Sequence, residues 1–195
     1  SNGVIGLRVG HIPLLNGVAM LSSFEGTDPE TKVEEFGRVP YPLAGDIRIC
    51  NASLSEPGRA VLREQHYDFS RGELLTRLFF ETGERRADIQ IVTLCSRSQP
   101  SLALQEISFT PDGDCEVTIS TIVDATNVPG NWGQDRPGAL ETDRDWPEGP
   151  FVWYSPGGIG KCGFGLTTQF IGAELLEVRH SNTEERVAKS HTFRA

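Results

Sequence analysis

An all-β fold, a large antiparallel sandwich, is what the sequence predicts, and three observations lead there. Apolar residues recur with period two: Cys115, Val117, Ile119 and Val123 alternate with Glu116, Thr118 and Ser120, and successive side chains of a strand point to opposite faces. Twenty-one glycines and twelve prolines punctuate the 195 residues at short intervals, the spacing of a chain with many turns. No stretch carries the sustained 3.6-residue pattern of an amphipathic helix.

Taken in order, strands are expected around Ile47 and Ile49, over 61–69 (Val61, Tyr67 and Phe69 apolar), 74–81, 88–96, 102–109, 115–123, 151–154, 164–171 and 174–180, with a last run through Val187 and Phe193. Ser70-Arg71-Gly72 and Thr82-Gly83-Glu84 separate strand pairs. Pro111-Asp112-Gly113-Asp114 reads as a hairpin turn, because Asp and Gly tolerate left-handed backbone. Residues 27–35 read as a short helical turn, Asp28-Pro29 resembling a cap followed by a first-turn proline. Residues 124–150 hold Pro129-Gly130, Gly133, Pro137-Gly138 and Pro147 and read as one long loop without regular structure. About ten strands with short turns make a sandwich in one domain, residues 1–195. The opening Ser1-Asn2-Gly3-Val4-Ile5-Gly6 reads as the middle of an element, so the chain is expected to be a piece of a longer protein.

A net charge of −9 and no Lys/Arg cluster argue against nucleic acid and against anionic lipid as partners. No run approaches the ~20 apolar residues of a membrane helix. Cys50, Cys95, Cys115 and Cys162 contain no CxxC pair, which argues against a zinc knuckle and for reduced, buried thiols in a cytoplasmic protein. No metal site and no cofactor are expected.

Gly158-Ile159-Gly160-Lys161-Cys162-Gly163 matches GxGxxG. The β-prone residues that follow and the lack of βαβ alternation make it a glycine-rich turn, not a dinucleotide site. Asp112-Gly113-Asp114 lacks the later oxygen ligands of a calcium loop. His66 with Glu64 is a conceivable acid/base pair, set against a solvated strand histidine. The candidate site lies in and after the long loop: Trp132, Trp146 and Trp153 offer flat faces for a sugar ring, and Asp135 and Asp145 accept hydroxyl hydrogens. The competing reading of the same residues is loop anchoring or docking of another domain.

Four segments carry a family resemblance. Asn2-Gly3-Val4-Ile5-Gly6-Leu7-Arg8-Val9-Gly10 resembles the opening of the N-terminal domain of glycoside hydrolase family 65. Arg63-Glu64-Gln65-His66-Tyr67-Asp68-Phe69-Ser70-Arg71-Gly72-Glu73-Leu74 is similar to a later segment of that domain. Ser96-Arg97-Ser98-Gln99-Pro100-Ser101-Leu102-Ala103-Leu104 and Ile122-Val123-Asp124-Ala125-Thr126-Asn127-Val128 look like two more. The likeness covers most of residues 1–124 and fades thereafter.

The resemblance implies a distorted β-sandwich of the galactose-mutarotase type. For the parent protein it implies inverting cleavage of α-glucosidic disaccharides such as maltose, trehalose or kojibiose, by water or by inorganic phosphate as co-substrate. The catalytic acid then belongs to a following (α/α)6 barrel, and no catalytic residue is assigned within this chain. On this reading the domain supports the barrel, shapes the rim of its active site and takes part in a homodimer. The alternatives are a stand-alone carbohydrate-binding module using the tryptophan loop, and an aldose epimerase using His66 and Glu64.

Overall fold

The computed structural model describes residues 1–28, 30–133, 148–172 and 174–195. Fifteen strands are found among them. They are β1 (Ile5–Val9), β2 (Gly17–Thr27), β3 (Glu34–Val39), β4 (Tyr41–Ile49), β5 (Ala52–Ser53), β6 (Ala60–Asp68), β7 (Glu73–Glu81) and β8 (Arg86–Cys95), then β9 (Ala103–Pro111), β10 (Glu116–Asp124), β11 (Asn131–Trp132), β12 (Glu148–Tyr154), β13 (Lys161–Leu166), β14 (Glu174–Asn182) and β15 (Arg186–Arg194). They form four antiparallel sheets. The N-terminal sheet is β1-β2-β3, the central sheet β14-β15-β10-β4-β5, the meander β6-β7-β8-β9, and the tryptophan sheet β11-β12-β13. The expected all-β class and antiparallel sandwich are what the chain adopts.

The central sheet organises the molecule because its long strands serve two cores. At one end Ile47, Ile49, Val117, Ile119 and Phe193 pack on Leu78, Phe80, Ile89 and Ile91 of the meander. At the other end of the same strands Tyr41, Ala44, Val123 and Val187 pack with Ala19, Phe24 and Val39 of the N-terminal sheet and with Trp132, Phe151, Trp153 and Cys162 of the tryptophan sheet. The period-two pattern explains the first core. In β8, Ala87, Ile89 and Ile91 are buried while Arg86 and Asp88 are exposed, so one face of the pleat is dry.

The meander follows its turn chemistry. The Asp68 carboxylate accepts from the Ser70 and Arg71 amides at 2.8 and 3.2 Å, closing the β6–β7 connection, and Gly83 supplies a φ of +94° between β7 and β8.

Several expectations are corrected. Asp112-Gly113-Asp114 is not a hairpin: β9 pairs with β8, whereas β10 pairs with β4 and β15. The segment instead carries the chain from one face of the sandwich to the other. Asp28 caps a turn as expected, its carboxylate accepting from the amide and hydroxyl of Thr31, but no helix follows among the described residues; β3 starts at Glu34 and pairs back on β2. The 124–150 stretch is not wholly irregular, since it contains β11 and the start of β12. The strand expected over 164–171 is Lys161–Leu166. Cys50 is exposed and Cys95 half-buried; only Cys115 and Cys162 are buried, and all four are free thiols.

The glycine-rich run is a turn. Gly157 and Gly158 have φ of +79° and +69° in a 3-10 turn leading into β13. A Cβ on Gly160 would lie 2.7 Å from the Glu25 carbonyl oxygen, so the run lets β13 pass against β2. No helix among the described residues is long and apolar enough to cross a membrane.

Candidate functional site

A cleft of about 570 Å³ lies where the N-terminal sheet, the central sheet and the first strand of the meander meet. One wall is the 10–16 tip of the β1–β2 connection, which is tied down at three points. The Gln65 side-chain amide donates to the Gly10 carbonyl at 3.1 Å. The Tyr41 hydroxyl donates to the Pro13 carbonyl at 2.9 Å, and the Gly45 amide donates to the Leu14 carbonyl at 2.9 Å. Leu14 inserts into the first core. Tyr41 lies where a Cβ on residue 17 would be, so Gly17 is what admits its ring. Burial pushes the Tyr41 phenol well above its ordinary pKa, so it acts as a donor.

The opposite wall is the turn following β10. Asn127 adopts φ +59°, a conformation Asn tolerates better than most residues, and the Val128 amide donates to the Ala125 carbonyl at 2.9 Å. Asp124 and Arg186, paired in register across β10 and β15, form an ion pair at 3.1 Å. The Thr126 amide also donates to Asp124 at 2.9 Å. Burial alone would raise the Asp124 pKa. Hydrogen bonds from the Thr126 hydroxyl and amide, with the Arg186 guanidinium, outweigh it and hold the carboxyl below its ordinary value.

Three arginines line the cleft, Arg8, Arg38 and Arg186, with His11, Asn16, Gln65 and Asn127 beside them. Asp124 is the one carboxylate among the described lining residues. Among the described residues no group of three or more His, Cys, Asp or Glu side chains could hold a metal ion.

The candidate residues read from the sequence lie elsewhere. Trp132 and Trp153 sit in the second core, 9 % and 3 % exposed. They oppose each other across β11 and β12, ring centroids 5.0 Å apart and nearly perpendicular, and Phe164 adds a second edge contact to Trp132. Their faces are occupied by each other and by the core. Neither indole N–H meets an acceptor among the described residues. Trp146, Asp135 and Asp145 lie outside the described residues.

His66 and Glu64 do meet, Nδ1 to Oε1 at 3.0 Å, but on an open strand surface where both are about half exposed. Glu64 is also held by Arg77 at 3.0 Å. A β-bulge between Leu62 and Glu64 accompanies this placement. The pair does not line the cleft.

Sequence reasoning missed the arginine cleft. Arg8, Arg38 and Arg186 are single charges in three distant strands, with no local spacing to join them; only the strand pairing does.

No family model matches this chain, and no curated protein matches it.

Proposed function

We propose that this chain is a noncatalytic β-sandwich domain of a glycoside hydrolase family 65-like enzyme, standing ahead of an (α/α)6 barrel that cleaves an α-glucosidic disaccharide by inverting hydrolysis or phosphorolysis. One observation carries the reading. Two of the segments on which the resemblance rests meet through Asn2. Its side-chain amide donates to the Ser96 carbonyl at 2.6 Å and the Pro100 carbonyl at 2.9 Å. Its side-chain oxygen accepts from the Val4 and Ile5 amides at 3.0 and 2.8 Å. These bonds tie the N-terminal sheet to the meander, which supports a scaffold role for the two segments.

The cleft supports a noncatalytic role. Inverting glycoside cleavage uses two carboxyl groups roughly 6.5–9.5 Å apart, one protonated and one free to activate the nucleophile. The cleft offers Asp124 among its described residues, and that carboxylate is committed to Arg186 and Thr126. The burial of Trp132 and Trp153 favours this reading over a carbohydrate-binding module that stacks sugars on those two rings. The open position of His66 and Glu64 favours it over an epimerase, which needs its acid and base inside a sugar cleft.

The purified chain, incubated with maltose, trehalose and kojibiose with and without phosphate, is expected to release no sugar, and its glucose anomers to interconvert at the uncatalysed rate. Turnover by these 195 residues, or a natural reading frame encoding no helical barrel, overturns the proposal.

A further inference from the structure

We propose that the arginine cleft is a binding site for a small oxyanion, the phosphate or carboxylate group of a metabolite-sized molecule. The inference rests on the cleft's own residues and holds whichever enzyme the chain serves. Three arginines and one carboxylate line it among the described residues. Asp124 is satisfied by Arg186 and Thr126. Arg8 and Arg38 make no ion pair or side-chain hydrogen bond among the described residues. In a chain with 27 acidic and 18 basic side chains, acidic neighbours outnumber the bases that need them, so two arginines at one cavity with no ion pair among the described residues are out of keeping with the composition.

The sheet register brings those two arginines to one side. Arg8 pairs with Val18 and Arg38 with Met20. Directly opposed residues share a face, and so do residues two apart on one strand. Arg8 and Arg38 therefore flank β2 on the same face, opposite to the buried face of Ala19 and Val39. The guanidinium is a planar fork of N–H donors whose geometry matches phosphate and carboxylate oxygens. Asn16, Asn127 and His11 line the remaining cavity and suit the neutral, hydroxylated part of such a molecule. At about 570 Å³ the cleft falls within the range of small-molecule sites, roughly 300–1,000 Å³.

The test is calorimetric and NMR titration of the chain with inorganic phosphate and, separately, with malonate, at low ionic strength. Saturable binding of either probe at millimolar concentration is expected, weakening as salt is added, and the stronger probe identifies which oxyanion the site takes. The double variant Arg8→Gln/Arg38→Gln, both positions exposed, should keep the wild-type melting curve and lose roughly tenfold or more in affinity. Arg77→Gln, on the meander surface and paired with Glu64, serves as the control and should bind like the wild type. Failure of both probes to bind, or equal affinity in the double variant, overturns the proposal.

Discussion

The two cores of this molecule share three strands and differ in almost everything else. The core between the central sheet and the meander is mainly aliphatic, with Ile47, Ile49, Ile89, Ile91 and Val117 stacked around Phe80 and Phe193 from strands that alternate cleanly. The core beneath the N-terminal and tryptophan sheets is aromatic and irregular. Phe24, Tyr41, Trp132, Phe151 and Trp153 fill it, and β2, which roofs it, is bulged between Met20 and Glu25. The difference teaches that regular pleating builds the stable slab, while bulges and aromatic volume fit a third and a fourth sheet onto its end. The cleft opens at that irregular end, lined by Tyr41, Asp124 and Arg186 of the central sheet.

Truncation in each core gives the sharpest test of this comparison. Phe80, fully buried in the aliphatic core, should cost roughly 3–5 kcal/mol as Phe80→Ala, and Trp153→Ala should cost a similar amount from the other side. Because β4, β10 and β15 run through both cores, either variant should lower one cooperative transition, with tryptophan fluorescence and far-ultraviolet dichroism melting together. Separate melting of the fluorescence signal would break the comparison into two independent units.

Asp124 comes next in size. Losing its ion pair in Asp124→Asn, with the Thr126 amide left to donate to a neutral oxygen, should cost about 1 kcal/mol at neutral pH, given that Arg186 is half exposed. Its folded pKa lies below the unfolded one. The stabilisation is therefore complete above the ordinary carboxylate value, about pH 4, and is lost as the pH falls through the folded value. The gap between wild type and variant in urea denaturation should close on acidification; a gap independent of pH would show that Asp124 acts through shape, not charge.

Thiol reactivity should leave stability untouched and report the same contrast. Cys50 is exposed and should react first with an aromatic disulfide reagent. Burial raises the Cys115 thiol and pushes Cys162 up to about 11, so Cys162, within the aromatic core, should react only on unfolding. Cys50→Ser should remove the fast phase, and a fast phase that survives it would place a second thiol at the surface.

The contrast also explains what could be read from the sequence. The meander was legible because β7, β8 and their turns obey local rules: alternation, an Asp-led turn before Gly72, and Gly83 at positive φ. β2 was not, because Ser23 at φ +63° and the bulge break its period. Asp112-Gly113-Asp114 has hairpin chemistry, yet which sheet β10 joins is decided by long-range pairing with β4 and β15. The tryptophans were visible as unusual residues, but whether an indole faces solvent or a core depends on neighbours far along the chain. The arginine cleft was invisible for the same reason.

The most direct test of the proposed function uses the protein encoded by the natural reading frame that contains this chain. If it is the proposed inverting enzyme, proton NMR of the first product formed from maltose, trehalose or kojibiose should show the β-anomer, as free glucose or as its 1-phosphate. An α-configured first product, or no action on any α-glucoside, would contradict the account.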